Sequence, residues 1–148
     1  MRKILLIHGP NLNLLGQREK NHYGDLTLVS LEDLVKTEAK KNDLEVICFQ
    51  SNHEGELIDF IQEKTAEVDG IIINPGALTH YSYALHDCLV DTGLPCVEVH
   101  LSDVDNREEW RKISVTAPAC IAKISGKKEQ GYIDALNLLK AYKADNAN

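Results

Sequence analysis

Short apolar runs recur along the chain between longer amphipathic segments. Residues 3–7 form the first run, and similar runs occupy residues 44–49, 70–73, 96–99 and 120–124. Each run has the length of a β-strand and ends in polar or turn residues. Runs that are apolar at most consecutive positions are typical of strands buried on both faces, as in a parallel sheet. The pattern therefore predicts five strands of this kind.

The segments between these runs carry apolar residues at the spacing of one helix face. They predict helices near residues 28–39, 52–65, 82–90 and 132–139, and a short helix near 108–113. Thr27 can cap the first helix, and Gly93 and Pro95 end the third. The face expected to be buried in the first helix consists of Leu28, Leu31, Leu34, Val35 and Ala39.

Strands that alternate with helices form a parallel sheet with helices on both sides. We therefore predict an α/β fold, specifically a flavodoxin-like three-layer sandwich with a five-stranded parallel sheet. One domain is expected over residues 1–143, followed by a loose tail at 144–148.

Composition narrows the classes of partner. The formal net charge is −7 and the chain has no block of lysines and arginines, so neither nucleic acid nor an anionic membrane is an expected partner. The first apolar run is too short for a signal peptide, and no stretch is long enough to span a bilayer. The cysteines are widely spaced without a CxxC pair, which predicts buried free thiols and a reducing, cytoplasmic location. They are Cys48, Cys88, Cys96 and Cys120.

Polar residues follow four of the predicted strands, at the edge where sheets of this type bind ligands. They include Asn11 after the first strand, His53 after the second, Asn74 after the third and Ser102 after the fourth. Asn and Gly at a single strand end are explained by turns. Four such ends together predict a site in one crevice.

Glu98 and His100 are the most informative pair, because they belong to the fourth predicted strand. A spacing of two places both side chains on the same face. A carboxylate beside an imidazole fixes its tautomer and favours its charged form, which suits a proton donor. The alternative is an edge position with both groups in water.

Two arginine-containing segments suggest further chemistry. The glycine-framed segment 16–24 has no periodicity and resembles a lid, and it contains Arg18 near Tyr23. A guanidinium would lower the tyrosine pKa from its usual value of about 10, although most loop tyrosines are simply packed. Arg107 and Arg111 are four apart and either bind an anion or form a solvated surface pair.

The chain lacks the sequence motifs of several classes of functional site. His80 and His86 are six apart, and the chain has no HExxH or Cys/His cluster, which disfavours a metal site. The glycine-rich phosphate-binding motifs are absent, which disfavours a nucleotide site. A phosphorylation receiver of this fold needs acidic residues where Asn11 and Asn74 stand.

The same segments resemble the signature of the type II 3-dehydroquinate dehydratases from the first strand to the last helix. The matching motifs are Gly9-Pro10-Asn11-Leu12-Asn13-Leu14-Leu15-Gly16, Arg18-Glu19, Tyr23-Gly24, Phe49-Gln50-Ser51-Asn52-His53-Glu54-Gly55-Glu56, Asn74-Pro75-Gly76-Ala77, Thr79-His80, Glu98-Val99-His100-Leu101-Ser102, Arg107 and Arg111. The chain departs from that signature at Lys20, Tyr81, Tyr83 and Ser125-Gly126-Lys127-Lys128. These departures concern local loop shape rather than the chemistry.

The resemblance implies a lyase that converts 3-dehydroquinate to 3-dehydroshikimate by anti elimination, in the shikimate pathway or in quinate catabolism. It implies that Tyr23, with its pKa held down by Arg18, removes the proton α to the ketone. Asn11 and a bound water would stabilise the enolate, and His100, oriented by Glu98, would protonate the departing hydroxyl.

The resemblance also assigns the binding residues. Asn74 and the backbone of Leu101 and Ser102 would hold the substrate carboxylate. His80 and Arg111 would bind the ring hydroxyls.

The resemblance further implies self-assembly. Asp87 would reach in from a neighbouring subunit, since the family forms trimers packed into dodecamers. No metal or organic cofactor is implied. The alternative is a non-catalytic flavodoxin-like module that binds a small polyol carboxylate. The presence of Tyr23, Arg18 and His100 favours the enzyme.

Overall fold

The computed structural model describes residues 2–17 and 25–142. Its sheet consists of five strands, Arg2–His8 (β1), Leu44–Gln50 (β2), Gly70–Asn74 (β3), Cys96–His100 (β4) and Ala122–Ser125 (β5). All neighbours pair in parallel in the order β2-β1-β3-β4-β5. This is the flavodoxin order, in which the direction of winding reverses between β1 and β3. The predicted five-stranded parallel sheet is confirmed.

Helices cover both faces of this sheet. They are Leu28–Lys41 (α1), Glu54–Lys64 (α2), Tyr83–Thr92 (α3) and Gln130–Ala141 (α4). One apolar cluster joins α1 and α4 to the sheet, and the other joins α2 and α3 to its opposite face. The predicted three layers are therefore confirmed. The short helix expected near residues 108–113 is a single 3-10 turn, Glu109–Lys112.

The start of α1 follows the capping signal in the sequence. Thr27 Oγ1 accepts a hydrogen bond from the Ser30 backbone N–H at 3.1 Å, and Ser30 Oγ accepts one from the Thr27 N–H at 3.0 Å. This reciprocal pair is a capping box formed with a serine. Leu31, Val35 and Ala39 are buried as predicted, but Leu34 is 39% exposed. The prediction for Leu34 was wrong because the buried stripe follows the i, i+4, i+8 row, and Leu34 lies beside it.

Cysteines occupy core and half-buried positions. None of the four cysteines is in a disulfide, and Cys88 and Cys96 are buried. The Sγ atoms of Cys96 and Cys120 lie 3.4 Å apart. Burial raises the pKa of Cys88 to about 11, so its thiol stays protonated near neutral pH.

No helix within residues 2–17 and 25–142 combines the length and the apolar character needed to cross a membrane. The predicted tail at 144–148 lies outside the described residues, as do Arg18 and Tyr23.

Candidate active site

A cleft of about 120 Å³ lies at the carboxyl ends of β1, β3 and β4. It adjoins the point where the winding of the sheet reverses, which is the usual ligand site of such folds. The residues predicted for the site that line it are Asn11, Asn74, His80, His100, Leu101, Ser102 and Arg111. The expectation that separate strand ends would meet in one crevice is confirmed for the ends of β1, β3 and β4, whereas His53 after β2 is not among the lining residues.

Two glycines bring the turns after β1 and β3 into backbone contact. A Cβ on Gly9 would lie 2.3 Å from the carbonyl oxygen of Pro75, which is a severe clash. Gly76 has a φ of +60°, and a Cβ there would lie 3.0 Å from the carbonyl oxygen of Pro10. Side chains at either position would push these turns apart, so glycine is required for the floor of the cleft.

Asn11 follows the first of these turns in a left-handed conformation with a φ of 71°. Its backbone N–H donates to Asn52 Oδ1 at 2.9 Å, which fixes it against the end of β2. Asparagine adopts this conformation more readily than most residues. The Asn11 side chain lines the cleft, where its amide is available to a ligand.

The side chain of Asn74, at the end of β3, is held through both the oxygen and the nitrogen of its amide. Its Oδ1 accepts from the Gly76 backbone N–H at 3.1 Å, and its Nδ2 donates to the Tyr132 hydroxyl at 3.1 Å. Tyr132 is fully buried in α4, and burial raises its pKa, so it remains a neutral hydroxyl. The second N–H of the Asn74 amide is the donor that remains for a ligand.

Glu98 and His100 form a buried pair on β4. His100 Nε2 lies 3.1 Å from Glu98 Oε2, and the side chains are 6% and 0% exposed, respectively. The predicted pairing is confirmed, and the alternative of an edge position in water is wrong, because β5 covers that side of β4.

The surroundings of Glu98 determine its charge. Burial alone would raise its pKa, but hydrogen bonds from His100, Thr116 and Ser114 outweigh this effect and hold the pKa below its usual value. Thr79 also donates to the carboxylate. None of these three hydroxyls was predicted from the sequence to have a role. Only Thr79 lies in a recognised motif, whereas Ser114 and Thr116 belong to an irregular segment.

His80 approaches the cleft from the turn that follows β3. Its Nδ1 lies 2.6 Å from the Ile113 carbonyl oxygen, and its ring meets Trp110 edge-on at a centroid distance of 5.0 Å. Because a carbonyl only accepts, Nδ1 carries the hydrogen, and Nε2 of the neutral ring is an acceptor. Partial burial lowers the His80 pKa against the opposing effect of its hydrogen bond to Ile113, and the charge of Arg111 also lowers it. A neutral His80 can therefore accept a hydrogen bond from a hydroxyl.

Two arginines also line the cleft. Arg111 Nε donates to Glu108 Oε2 at 2.6 Å, and its guanidinium carbon lies 4.0 Å from the centre of the Trp110 ring. Arg107 Nη1 lies 3.4 Å from Ser102 Oγ. Their side chains are only 20% and 12% exposed, so the alternative of a solvated surface pair is wrong. The sequence analysis noted Arg107 but did not place it in the site, because its spacing to Arg111 fits a surface helix equally well.

Two predicted site residues that the structure describes do not line this cleft themselves: Glu98, which reaches it through His100, and Asp87. Asp87 projects from α3 with its side chain 78% exposed, and its Oδ1 lies 3.2 Å from His86 Nδ1. Arg18 and Tyr23 belong to residues 18–24, outside the described part of the chain. The described candidates for the proton donor and the anchors therefore lie together, and the role of every predicted site residue stays a prediction.

Within the described residues, no group of three or more His, Cys, Asp or Glu side chains is placed to hold a metal ion. The cleft instead offers an imidazole paired with a carboxylate, neutral amides and two guanidinium groups. Such a set can bind a carboxylate and donate a proton to a leaving group.

Comparison with known proteins gives one consistent result. Residues 2–140 match the family described as dehydroquinase class II. The chain is 58% identical over 139 residues to the 3-dehydroquinate dehydratase of Clostridium perfringens, covering 93% of this chain and 96% of that protein. It is 53% identical to the enzyme of the same name from Caldicellulosiruptor saccharolyticus, covering 95% and 97%. The crystal structure of type II dehydroquinase from Butyrivibrio crossotus superposes with a TM-score of 0.92 at 50% identity, covering 95% and 98%.

Proposed function

The chain belongs to the class II dehydroquinase family, and from this premise we propose that it is a lyase that removes water from 3-dehydroquinate to give 3-dehydroshikimate. The observation that carries the proposal is the buried pair of Glu98 and His100 at a cleft with two arginines. Such a cleft combines a proton donor for a leaving hydroxyl with positive charge for a carboxylate substrate.

The departing hydroxyl takes its proton from His100. Because Nε2 of this ring is turned to Glu98, Nδ1 is the nitrogen left to protonate a ligand. The charged carboxylate of Glu98 stabilises the imidazolium before the proton is transferred. As the enolate collapses, the C–O bond breaks, and the hydroxyl leaves as water with the proton from His100.

The substrate carboxylate is held where neutral donors and positive charge converge. Asn74 supplies its remaining amide N–H, and Leu101 and Ser102 supply backbone donors at the end of β4. Arg107, close to Ser102, adds positive charge on the same side. The neutral His80 and the guanidinium of Arg111 bind the ring hydroxyls.

Proton abstraction is the role of Tyr23, with Arg18 lowering its pKa so that tyrosinate forms near neutral pH. Asn11, in the cleft, binds the enolate oxygen through a water molecule. The order is therefore abstraction of the α proton, enolate formation and loss of water by anti elimination.

Assembly and location belong to the same proposal. The protein forms trimers packed as a homododecamer, and Asp87 of one subunit completes the cleft of another. The exposure of Asp87 on α3 supports this role. A cytoplasmic location is supported by cysteines that form no disulfide.

The test is turnover of 3-dehydroquinate, followed by the absorbance of the conjugated enone product. Wild-type protein is expected to generate it without added cofactor. Tyr23→Phe should abolish turnover, because it removes the phenolate oxygen and keeps the ring. Binding without turnover by wild-type protein would instead identify a non-catalytic module for a polyol carboxylate.

A further inference from the structure

Three hydroxyl groups surround the carboxylate of Glu98, and we refer to Thr79, Ser114 and Thr116 as the hydroxyl cluster. Thr79 Oγ1 lies 3.1 Å from Glu98 Oε1, and Ser114 Oγ lies 2.9 Å from Oε2. Thr116 Oγ1 donates to Oε1. With His100 Nε2 at 3.1 Å from Oε2, each carboxylate oxygen accepts two hydrogen bonds.

This arrangement saturates the carboxylate in its ionised form. A carboxylate has about four acceptor positions, and here four donors occupy them. Ser114 Oγ also accepts from the Ala117 backbone N–H at 2.9 Å, and Thr79 Oγ1 lies 2.8 Å from Ser114 Oγ and 2.9 Å from Thr116 Oγ1. A proton added to either Glu98 oxygen would displace one of these donors from the carboxylate and weaken the arrangement.

The hydroxyl cluster is tied to the cleft by the backbone of the segment that carries it. The Val115 N–H donates to the Thr79 carbonyl oxygen at 2.7 Å. The Ile113 carbonyl oxygen binds His80 Nδ1 at 2.6 Å. Residues 113–116 thus hold a substrate-facing histidine and the partner of the proton donor at the same time.

We propose that the hydroxyl cluster positions Glu98 and keeps it ionised, so that Glu98 holds His100 with Nε2 inward and Nδ1 toward the departing hydroxyl. This inference deepens the proposed function and rests on it for the role of His100. Thr79, Ser114 and Thr116 are positioning residues, because they act on substrate only through the pair on β4. The lowered pKa of Glu98 agrees with a carboxylate that accepts several hydrogen bonds.

The test compares Thr116→Val, which keeps the shape but loses the hydroxyl, with Thr116→Ser, which keeps the hydroxyl. Loss of a hydrogen bond to a charged group should lower kcat about 10-fold in the valine variant, with KM within about 2-fold of wild type. Thr116→Ser should retain most of the activity. Thr79→Val and Thr79→Ser form a second pair, should one position not tolerate valine.

Measuring the same substitution in the Glu98→Gln variant distinguishes a positioning role from general disruption of the site. If the hydroxyl acts through Glu98, then Thr116→Val should add less than about a 2-fold loss to Glu98→Gln, because the charge it serves is already gone. Thr65→Val is the matched control, since Thr65 Oγ1 donates to the Ile61 carbonyl oxygen of its own helix turn at 2.7 Å. It removes a half-buried hydroxyl away from the cleft and should leave kcat unchanged.

A substrate-free measurement distinguishes this inference from the proposed function. A carboxylate whose folded pKa is lowered stabilises the protein above its unfolded pKa, and this stability is lost as the pH falls through the folded pKa. Thr116→Val should raise the folded pKa of Glu98 toward its unfolded value, so the variant should melt at a lower temperature than wild type or Thr116→Ser near neutral pH, and its melting temperature should fall less as the pH drops below the unfolded pKa. The other titratable groups around Glu98 are unchanged in both variants; they are His100 and Cys96 on β4, His80 on its turn and Cys120 beside Cys96.

The outcomes are distinct. Wild-type kcat in both valine variants, an equal loss in the Glu98→Gln background, or an unchanged pH dependence of the melting temperature would overturn the positioning role. If wild-type protein fails to turn over 3-dehydroquinate, the proposed function is wrong, and the pH dependence of melting alone still decides whether the hydroxyl cluster keeps Glu98 ionised.

Discussion

At the scale of single residues, hydrogen-bond capacity explains most of the cleft. Asn74 uses one amide hydrogen on Tyr132 and its oxygen on the backbone of Gly76, so its orientation is fixed before a ligand binds. His80 uses Nδ1 on a backbone carbonyl, which leaves an acceptor toward the cleft. Side chains held in this way lose little conformational entropy on binding.

Tyr132→Phe tests the fixed orientation of Asn74. The substitution keeps the buried ring and removes only the hydroxyl that accepts from Nδ2. We expect KM for 3-dehydroquinate to rise about 5-fold, corresponding to about 1 kcal/mol, with a smaller change in kcat. Tyr142→Phe, at a residue 40% exposed after α4, is the control. An unchanged KM in Tyr132→Phe would show that Asn74 keeps its orientation without this bond.

His100→Ala removes the proton donor and keeps the anchors. General acid catalysis contributes about 10²–10⁴-fold, so kcat should fall by that order with a smaller change in KM. Glu98→Gln should cost less, since it acts through His100. Steady-state kinetics of the two single variants and the double variant decide whether the residues are coupled. Losses that multiply in the double variant would mean that they act independently.

The sequence predicted the pair on β4 but not the groups that hold it. The spacing of Glu98 and His100 places them on one face of any strand, so no tertiary information was needed. Thr116 reaches Glu98 from 18 positions away through a segment without regular structure, and such a contact has no periodic signal. Arg107 was noted but not placed, because only the folded turns show that its side chain lines the cleft.

At the scale of elements, strands were predicted more accurately than short helices. Buried parallel strands are marked by uninterrupted apolar runs, and each observed strand overlaps its predicted one. A period of 3.6 residues cannot be recognised over four positions, so Glu109–Lys112 was expected as a helix and forms a 3-10 turn. Leu34 shows the same limit within α1, since an apolar residue beside the buried stripe fits the pattern almost as well.

The contact between the turns after β1 and β3 gives a prediction at this scale. Gly9→Ala would place a methyl group 2.3 Å from a backbone oxygen that cannot move aside without shifting β3. We expect a loss of about 3 kcal/mol in the free energy of unfolding, measured by denaturant titration. Gly55→Ala is the matched control, because a Cβ there meets nothing within 4 Å, and it should stabilise α2 by about 0.5–1 kcal/mol. Equal stabilities of the two variants would contradict the close approach.

At the scale of the whole molecule, the cleft joins side chains from both faces of the sheet. Asn74 is held from the face covered by α4, and Glu98 from the face covered by α3. The observed strand order explains why they meet, since β3 and β4 are neighbours.

Asp87 provides the test of assembly. Light scattering at micromolar concentration should give a mass many times 16.5 kDa. Asp87→Ala should lower activity without changing the fold of the subunit, because its side chain is exposed on α3. A fully active monomer would contradict both the proposed assembly and the proposed role of Asp87.

Because the chain is synthesised from its N-terminal end, β1, an inner strand of the sheet, is made long before α4. The strand can pair with β2 and β3 as they follow, but Asn74 finds its partner only when Tyr132 arrives on the last helix. Until residues 130–141 pack against β3 and β4, the part of that apolar face which α1 does not cover stays exposed. The nascent polypeptide therefore passes through a stage with a largely formed sheet and an incomplete cleft, in which it is most prone to aggregate.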